Sequence, residues 1–169
     1  MNTTKYGISD DAFLARMLEQ CRDDEERGWL TTLFLTGMHG ASLRTLSKAN
    51  LVRQGDRTFL QWRRTKTNKL LEAEISTDKL GVITPFLEAS RKKSLRWVNY
   101  RLHEMGTKAG YDGVSTMTFR HTRCIRQILA GVPLPVVADS MGCTEEVVRR
   151  AYGKLTPEQL RNATTRSMQ

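Results

Sequence analysis

The residues best suited to chemistry lie in the last third of the chain, between Thr118 and Gly153. A helix predicted at the start of this stretch carries the cationic side chains Arg120, His121, Arg123 and Arg126. Tyr152 stands near its end. A guanidinium group binds two phosphate oxygens through its fork of N–H donors, and a tyrosine hydroxyl can act as a nucleophile. The combination indicates chemistry at a phosphate group, provided that the rest of the chain supplies partners.

The charge balance indicates an anionic partner. The chain contains 27 Lys and Arg residues against 18 Asp and Glu residues, a formal net charge of +9. Such an excess favours nucleic acid first and an anionic membrane surface second. An apolar run of about 18 residues, as a membrane span requires, does not occur, and MNTTKYGISDD does not resemble a secretory signal. We therefore expect a cytoplasmic, nucleoid-associated protein and no membrane partner.

The cysteines do not predict a metal centre. They are widely separated and have neither Cys-x-x-Cys nor Cys/His ligand spacing: Cys21, Cys124 and Cys143. We expect three reduced thiols, no metal and no cofactor.

The spacing of apolar residues predicts a mainly helical chain. The acidic run Asp23–Glu26 is typical of a helix start, and Gly37 of the end of that helix. A later helix is predicted over Leu95–Ala109, before Gly110, and a C-terminal helix begins at Pro157.

Four local features of the helical part are also predicted. Ser9 to Asp11 should cap the first helix, and Cys21 should lie on its apolar face. Leu51 is assigned to a short third helix, together with Leu43 and Leu46, and Pro85 is placed near the start of another short helix.

The pattern after Arg57 is typical of β-structure. The segments TFLQW (58–62) and LLEAEIS (70–76) predict two strands, and RRTKTNK between them predicts a basic turn. We therefore predict one domain over residues 1–169, mainly α with a small antiparallel β-sheet formed by this hairpin. Residues 154–169 should form a C-terminal helix and tail.

Several segments occur in an order that resembles the catalytic domain of tyrosine recombinases, the phage-integrase family: TGMHGASLRTL, RRTKTNK, TFRHT, DSMGC and AYG. The resemblance implies the fold of that domain and a role in site-specific DNA recombination or integration, as in a mobile element, with duplex DNA as partner. Recombinases of this family usually carry an N-terminal core-binding domain, which we expect to be absent here.

The resemblance also implies roles for individual residues. Tyr152 matches the nucleophile that forms a 3′-phosphotyrosine link, and Arg120 matches the second phosphate-binding arginine. Lys66 matches the general-acid lysine of the hairpin, with Lys69 as a fallback. Other positions of the pattern carry a different residue type: His39 in place of the first arginine, Met117 in place of a histidine, and Cys143 in place of a histidine or tryptophan.

These changed positions predict weak or lost strand cleavage. His39, expected to be partly charged near neutral pH, can donate a hydrogen bond but cannot fork onto two oxygens, and Met117 cannot exchange a proton. Loss of one preorganised anion-stabilising donor typically lowers a rate on the order of 10²–10³-fold. We expect DNA binding with impaired catalysis. The predicted DNA contacts are the basic residues of the hairpin and of the basic helix: Arg63, Arg64, Lys69, His121 and Arg123.

Structural and functional alternatives remain open. Tyr152 could pack on the core, Lys66 could be a solvated turn residue, His39 a capping or core histidine, and Cys143 a buried filler. The segment LPVVADSMGCTEEVVRRAY also fits a helix-turn-helix transcriptional regulator. A third possibility is a non-catalytic protein that regulates a recombinase. The C-terminal helix could join it to that partner or to a second copy of the chain.

Overall fold

The computed structural model describes residues 2–3 and 7–169. Its helices are α1 (Phe13–Leu18), α2 (Asp24–Thr36), α3 (Gly40–Leu43), α4 (Thr77–Glu88), α5 (Leu95–Ala109), α6 (Thr116–Leu129), α7 (Leu134–Met141), α8 (Glu145–Tyr152) and α9 (Pro157–Ser167). Its strands are β1 (Asn2–Thr3), β2 (Leu51–Gln54), β3 (Arg57–Arg63), β4 (Leu70–Glu74) and β5 (Tyr111–Asp112). The predicted mainly helical fold with a small antiparallel sheet is confirmed.

The helix boundaries follow from capping residues. The Asp23 side chain accepts a hydrogen bond from the Glu26 amide at 2.8 Å, which satisfies a free donor at the start of α2. Gly37 ends α2 in the left-handed conformation, with φ of 56°. Gly110 ends α5, as predicted, and Ser94, which was not predicted, caps its start through the Trp97 amide.

The sheet has one strand more than the predicted hairpin. Strands β2, β3 and β4 are antiparallel in that order, and β3 with β4 forms the hairpin. Leu51 therefore begins a strand, and its assignment to the third helix was wrong. The glycine turn at Gly55, with φ of 65°, allows β2 to fold back on β3, where Leu51 pairs with Leu60. Leu60 also pairs with Ala73 of β4, and both are buried.

Three other local predictions need correction. Ser9 to Asp11 do not cap α1: Asp10 accepts a hydrogen bond from the Ala12 amide in a turn, and the helix begins at Phe13. The helix ends at Leu18, so Cys21 lies beyond it, although Cys21 packs against the main core. Pro85 lies inside α4 and not near a helix start. A proline in a helix interior costs about 3 kcal/mol, and the burial of Ile83, Phe86 and Leu87 in the same helix offsets that loss.

Helix α2 lies at the centre of the main core, and α4 and α6 pack against it. Its buried residues include Trp29, Leu30 and Leu33. A smaller apolar cluster joins the second half of α6 to α7 and α8: Cys124, Ile128, Val137, Ala138, Met141 and Val148. Within the described residues, no helix is both long and apolar enough to span a bilayer.

Candidate functional site

A cavity of about 360 Å³ lies between α6 and α8, closed at its sides by the residue before α3, the β3–β4 turn and the end of α7. Its walls are formed by His39, Arg64, Met117, Arg120, His121, Cys124, Met141, Cys143, Val147, Arg150, Ala151 and Lys154. The structure thus brings together most of the predicted site residues, although they come from distant parts of the sequence.

Helix α6 presents one face to this cavity. Its wall residues fall at i, i+3, i+4 and i+7, the spacing of one helix face: Met117, Arg120, His121 and Cys124. Phe119, on the opposite side of the helix, is buried in the main core, and Ile125, at the flank of this face, is also buried. Ser115 and Thr118 form a capping box that fixes the start of α6 and therefore the position of this face.

Arg120 is held rigidly in the cavity wall, with only 9% of the residue exposed. Its Nη1 donates to the carbonyl of Gly37 at 3.0 Å, and its Nη2 donates to the carbonyl of Met141 at 2.7 Å. Burial lowers the pKa of this guanidinium. The two carbonyls fix the orientation of the fork and leave other N–H groups for a ligand.

A second guanidinium is anchored beside the first. Arg64, at the start of the β3–β4 turn, donates from Nη1 to the carbonyl of Gly142, the residue after Met141. The Nε atom of Arg64 is buried and has no hydrogen-bond partner in the described part of the chain. The two arginines therefore hold consecutive carbonyls at the C-terminal end of α7, where the helix dipole favours cations.

His39 occupies the N-terminal end of α3 and is half-buried. Burial, followed by the positive charges of Arg120, Arg64 and Lys66, lowers the pKa of His39 to about 4. The imidazole is therefore neutral near neutral pH, which corrects the expectation of partial charge. Its Nε2 atom is buried and lacks a hydrogen-bond partner within residues 7–169.

Weakly polar side chains line the same cavity. Cys143 is half-buried, and burial raises the pKa of its thiol. Cys124, which the sequence analysis did not assign to the site, is buried, and burial raises its pKa to about 11. Both thiols are therefore protonated near neutral pH and are poor nucleophiles. Met117 lines the cavity and is partly exposed. His121 also lines it, and burial lowers the pKa of this imidazole.

Tyr152 and Lys66 do not line this cavity. Cavity residues of α8 and its end follow one helix face: Val147, Arg150, Ala151 and Lys154. Tyr152 comes one position after Ala151, a rotation of about 100° around the helix axis. Its side chain, in a residue that is 48% exposed, lines a different cavity, near Arg126 and Leu160 of α6 and α9. Lys66 is exposed in the turn.

The other predicted DNA contacts have varied environments. Arg63 is exposed and donates to the carbonyl of Asn68, and Lys69 forms an ion pair with Asp139 of α7 at 2.7 Å. Arg123 donates to the carbonyl of Leu35, one of the free carbonyls at the end of α2. Burial and the charge of Arg120 lower the pKa of Arg123 to about 10.

The cavity carries cationic groups without acidic ones. Over residues 7–169, no Asp or Glu side chain lines its walls, whereas three arginines and a lysine do. No group of three or more His, Cys, Asp or Glu side chains in the described ranges could hold a metal ion. Such a concave, cationic and partly buried surface is suited to a phosphate or another oxyanion. Arg150 and Lys154 of this surface were not predicted, although their helical spacing from Val147 was visible in the sequence.

Comparisons with known proteins identify the fold. No protein-family model and no curated protein matches the chain. The crystal structure of XerA recombinase matches with a TM-score of 0.76 and 17% identity, over 95% of this chain and 64% of that one.

Two structures of XerH site-specific recombinase also match. The post-cleavage complex with palindromic difH substrate gives a TM-score of 0.74 at 12% identity, over 97% of this chain and 54% of that one. The pre-cleavage complex with difH substrate gives 0.72 at 11% identity, over 96% and 55%. The chain thus spans less than two thirds of each recombinase. It has the fold of the tyrosine-recombinase catalytic domain.

Proposed function

We propose that this chain binds duplex DNA and that the cavity around Arg120 receives a phosphate of the DNA backbone. The observation that carries the proposal is the convergence of Arg64, Arg120, Arg150 and Lys154 on one concave surface that, among the residues described, contains no carboxylate. The XerH structures of the same fold are complexes with a difH substrate, which supports DNA as the ligand. A cytoplasmic, nucleoid-associated location follows from this function.

The function that fits this ligand is site-specific recombination or integration, with weak or lost strand cleavage. In this proposal Tyr152 is the nucleophile, Arg120 holds the phosphate and Lys66 is the general acid. His39 is neutral, Met117 cannot exchange a proton, and the thiol of Cys143 is protonated. Tyr152 lines another cavity and would have to move before it could attack a phosphate in the Arg120 cavity.

Binding is tested by fluorescence anisotropy with a labelled duplex over a series of salt concentrations. We expect a steep, linear fall of log affinity with log salt concentration, because several phosphate contacts release counterions. We also expect Arg120→Gln to weaken binding by a similar factor for different duplex sequences, because phosphate contacts carry no sequence information. Absence of binding, or binding that salt does not weaken, would contradict the proposal.

Cleavage is tested with suicide duplex substrates and denaturing gels that detect a covalent protein–DNA adduct. We expect little or no adduct from the wild-type chain and none from Tyr152→Phe. The combined substitution His39→Arg, Met117→His and Cys143→His restores the residue types of the resemblance and should increase the adduct. An abundant wild-type adduct that Tyr152→Phe abolishes would show that catalysis survives. Failure of the triple variant to form adduct, while it still binds DNA, would argue that Tyr152 is misplaced.

A helix-turn-helix regulator is the second candidate, because α7, the turn at Gly142 and α8 follow one another as in that motif. The first turn of α8 is acidic, and Glu145 and Glu146 pair with Arg149 and Arg150 of the same helix. Since a recognition helix contacts bases with its N-terminal residues, these carboxylates disfavour a major-groove role. Strong preference for one duplex sequence, unchanged in Arg120→Gln, would favour this candidate instead.

A further inference from the structure

We propose that Arg64 is the second phosphate-binding arginine of the cavity, supplying from the β3–β4 turn the guanidinium that position 39 lacks. The inference rests on the proposed binding of a DNA phosphate. It assigns to Arg64 a role different from that of the other basic residues of the hairpin. Arg64 would thus do the work of the first arginine of the resemblance, although the position that matches that arginine in the sequence is His39.

The anchoring of the two guanidiniums supports a paired role. Arg120 donates to the carbonyl of Met141, and Arg64 donates to the carbonyl of the adjacent Gly142. Consecutive carbonyls therefore hold both forks at the wall of one cavity. The positive charge of Arg64 contributes to lowering the pKa of Arg120, as expected for neighbouring cations. Two like charges held this way, with no carboxylate in the described cavity wall, are stabilised when an anion lies between them.

Two buried polar groups of this wall lack a hydrogen-bond partner among the described residues. The Nε–H of Arg64 is buried without an acceptor within the described residues, and Nε2 of His39 is buried without a partner. Buried donors are nearly always satisfied in native proteins, so an unsatisfied donor in a ligand cavity indicates a missing acceptor. A non-bridging phosphate oxygen would provide that acceptor, and the planar guanidinium suits two such oxygens.

Arg64 at the base of the hairpin turn lines the cavity, whereas Lys66 at its tip does not. The Arg64 amide donates to the carbonyl of Lys69 at 2.9 Å, and the Asn68 amide donates to the carbonyl of Arg64 at 2.7 Å. These bonds fix Arg64 at the base of the turn, whereas Lys66 is exposed farther along it. The Lys69–Asp139 ion pair also joins the turn to α7.

Gly142 allows the close approach of the sheet to α7. A Cβ atom at this position would lie 2.9 Å from Cδ1 of Leu71, the second residue of β4. The glycine has a φ of 63° and forms the left-handed end of α7. Its lack of a side chain therefore brings the carbonyl of Gly142 within reach of Arg64. Arg63, the preceding residue and the last of β3, is exposed and does not line the cavity.

The test compares Arg64→Gln with the matched control Arg63→Gln, which removes the same charge one residue away. Duplex affinity is measured by anisotropy for the full chain at low salt. We expect Arg64→Gln to weaken binding on the order of 10- to 100-fold, because hydrogen bonds to charged groups are lost. We expect a loss of only a few-fold for Arg63→Gln. Arg64→Lys, which keeps the charge and loses the fork, should fall between wild type and Arg64→Gln.

Rescue distinguishes phosphate binding from a purely structural role. If Arg64 replaces the arginine missing at position 39, then His39→Arg should recover most of the affinity lost in Arg64→Gln. The same substitution should give no such recovery in Arg63→Gln. Thermal unfolding by circular dichroism shows whether each variant is folded, and Arg64→Lys provides the comparison should Arg64→Gln fail to fold.

The two proposals fail in different ways. Equal effects of the Arg64 and Arg63 substitutions, or no rescue by His39→Arg, would overturn the role of Arg64 while wild-type DNA binding remains. Absence of duplex binding by the wild-type chain would overturn the proposed function and, with it, this inference.

Discussion

Burial and the positive charge of the cavity both act on His39. Burial removes water from the imidazole, and Arg120, Arg64 and Lys66 oppose a further positive charge, so that its pKa falls to about 4. An oxyanion in the cavity would act in the opposite direction, because a nearby negative charge favours the protonated imidazole. The protonation of His39 therefore reports both on the folded state and on the proposed ligand.

The pH dependence of stability follows from this lowered pKa. In the unfolded chain His39 titrates near its ordinary value of 6.5, and in the folded chain near 4. Between these values the unfolded state binds more protons, so stability is lost as pH falls from about 6.5 to about 4. We expect His39→Gln to lose less stability than wild type over this range, as measured by urea denaturation at several pH values. If the free energy of unfolding varied with pH in the same way for the two proteins, folding would not lower the pKa of His39.

At the same scale, the sequence predicted which residues lie close together better than it predicted how each is oriented. Arg120, His39, Met117, Cys143 and His121 were predicted by motif, and all of them line the cavity. Arg64 looked like one of several basic turn residues, because nothing local marks which of them meets Gly142. The displacement of Tyr152 from the cavity also depends on the rotation of α8, which a motif does not contain.

At the scale of elements, a buried ion pair joins α2 to α5. Arg101 donates to Glu26 at 2.7 and 3.1 Å and to the carbonyl of Gln20 at 2.8 Å. Both charged side chains are almost completely buried, with exposed fractions of 3% and 5%. The Arg22 amide also donates to Glu26, which therefore has partners for both carboxylate oxygens.

Removal of one partner of this pair should strongly destabilise the protein. Arg101→Met leaves the buried carboxylate of Glu26 without its counter-charge, and we expect a loss of about 3–5 kcal/mol in the free energy of unfolding. Arg22→Met removes an exposed arginine that pairs with Glu104, and we expect a loss of about 0–1 kcal/mol. Urea denaturation measures both. Similar losses for the two variants would contradict the assigned importance of the buried pair.

The elements that were predicted correctly end at residues whose type alone indicates a helix end. Asp23, Gly37, Ser94 and Gly110 mark helix ends through side-chain caps or left-handed glycines, and these are visible in the sequence. Strand β2 was missed because its four residues end in polar side chains and are stabilised by pairing with β3. The position of Pro85 inside α4 likewise depends on packing against α2, which no local pattern expresses.

At the scale of the whole molecule, the fold persists where sequence similarity is low. Identities of 11–17% accompany TM-scores of 0.72–0.76 with the Xer recombinase structures. Fold retention at this identity is consistent with selection for apolar volume and pattern in the core, which many sequences satisfy. The charges of the cavity are a separate feature: part of the net charge of +9 converges on this one concave surface.

The most direct test of the central claim compares wild type with Arg120→Gln in duplex binding over a range of salt concentrations. If Arg120 binds a DNA phosphate, the variant should bind more weakly at low salt, and the slope of log affinity against log salt should decrease by about one. Circular dichroism confirms that the variant is folded. Equal affinities and parallel slopes for the two proteins would contradict the assignment of the Arg120 cavity as the phosphate site.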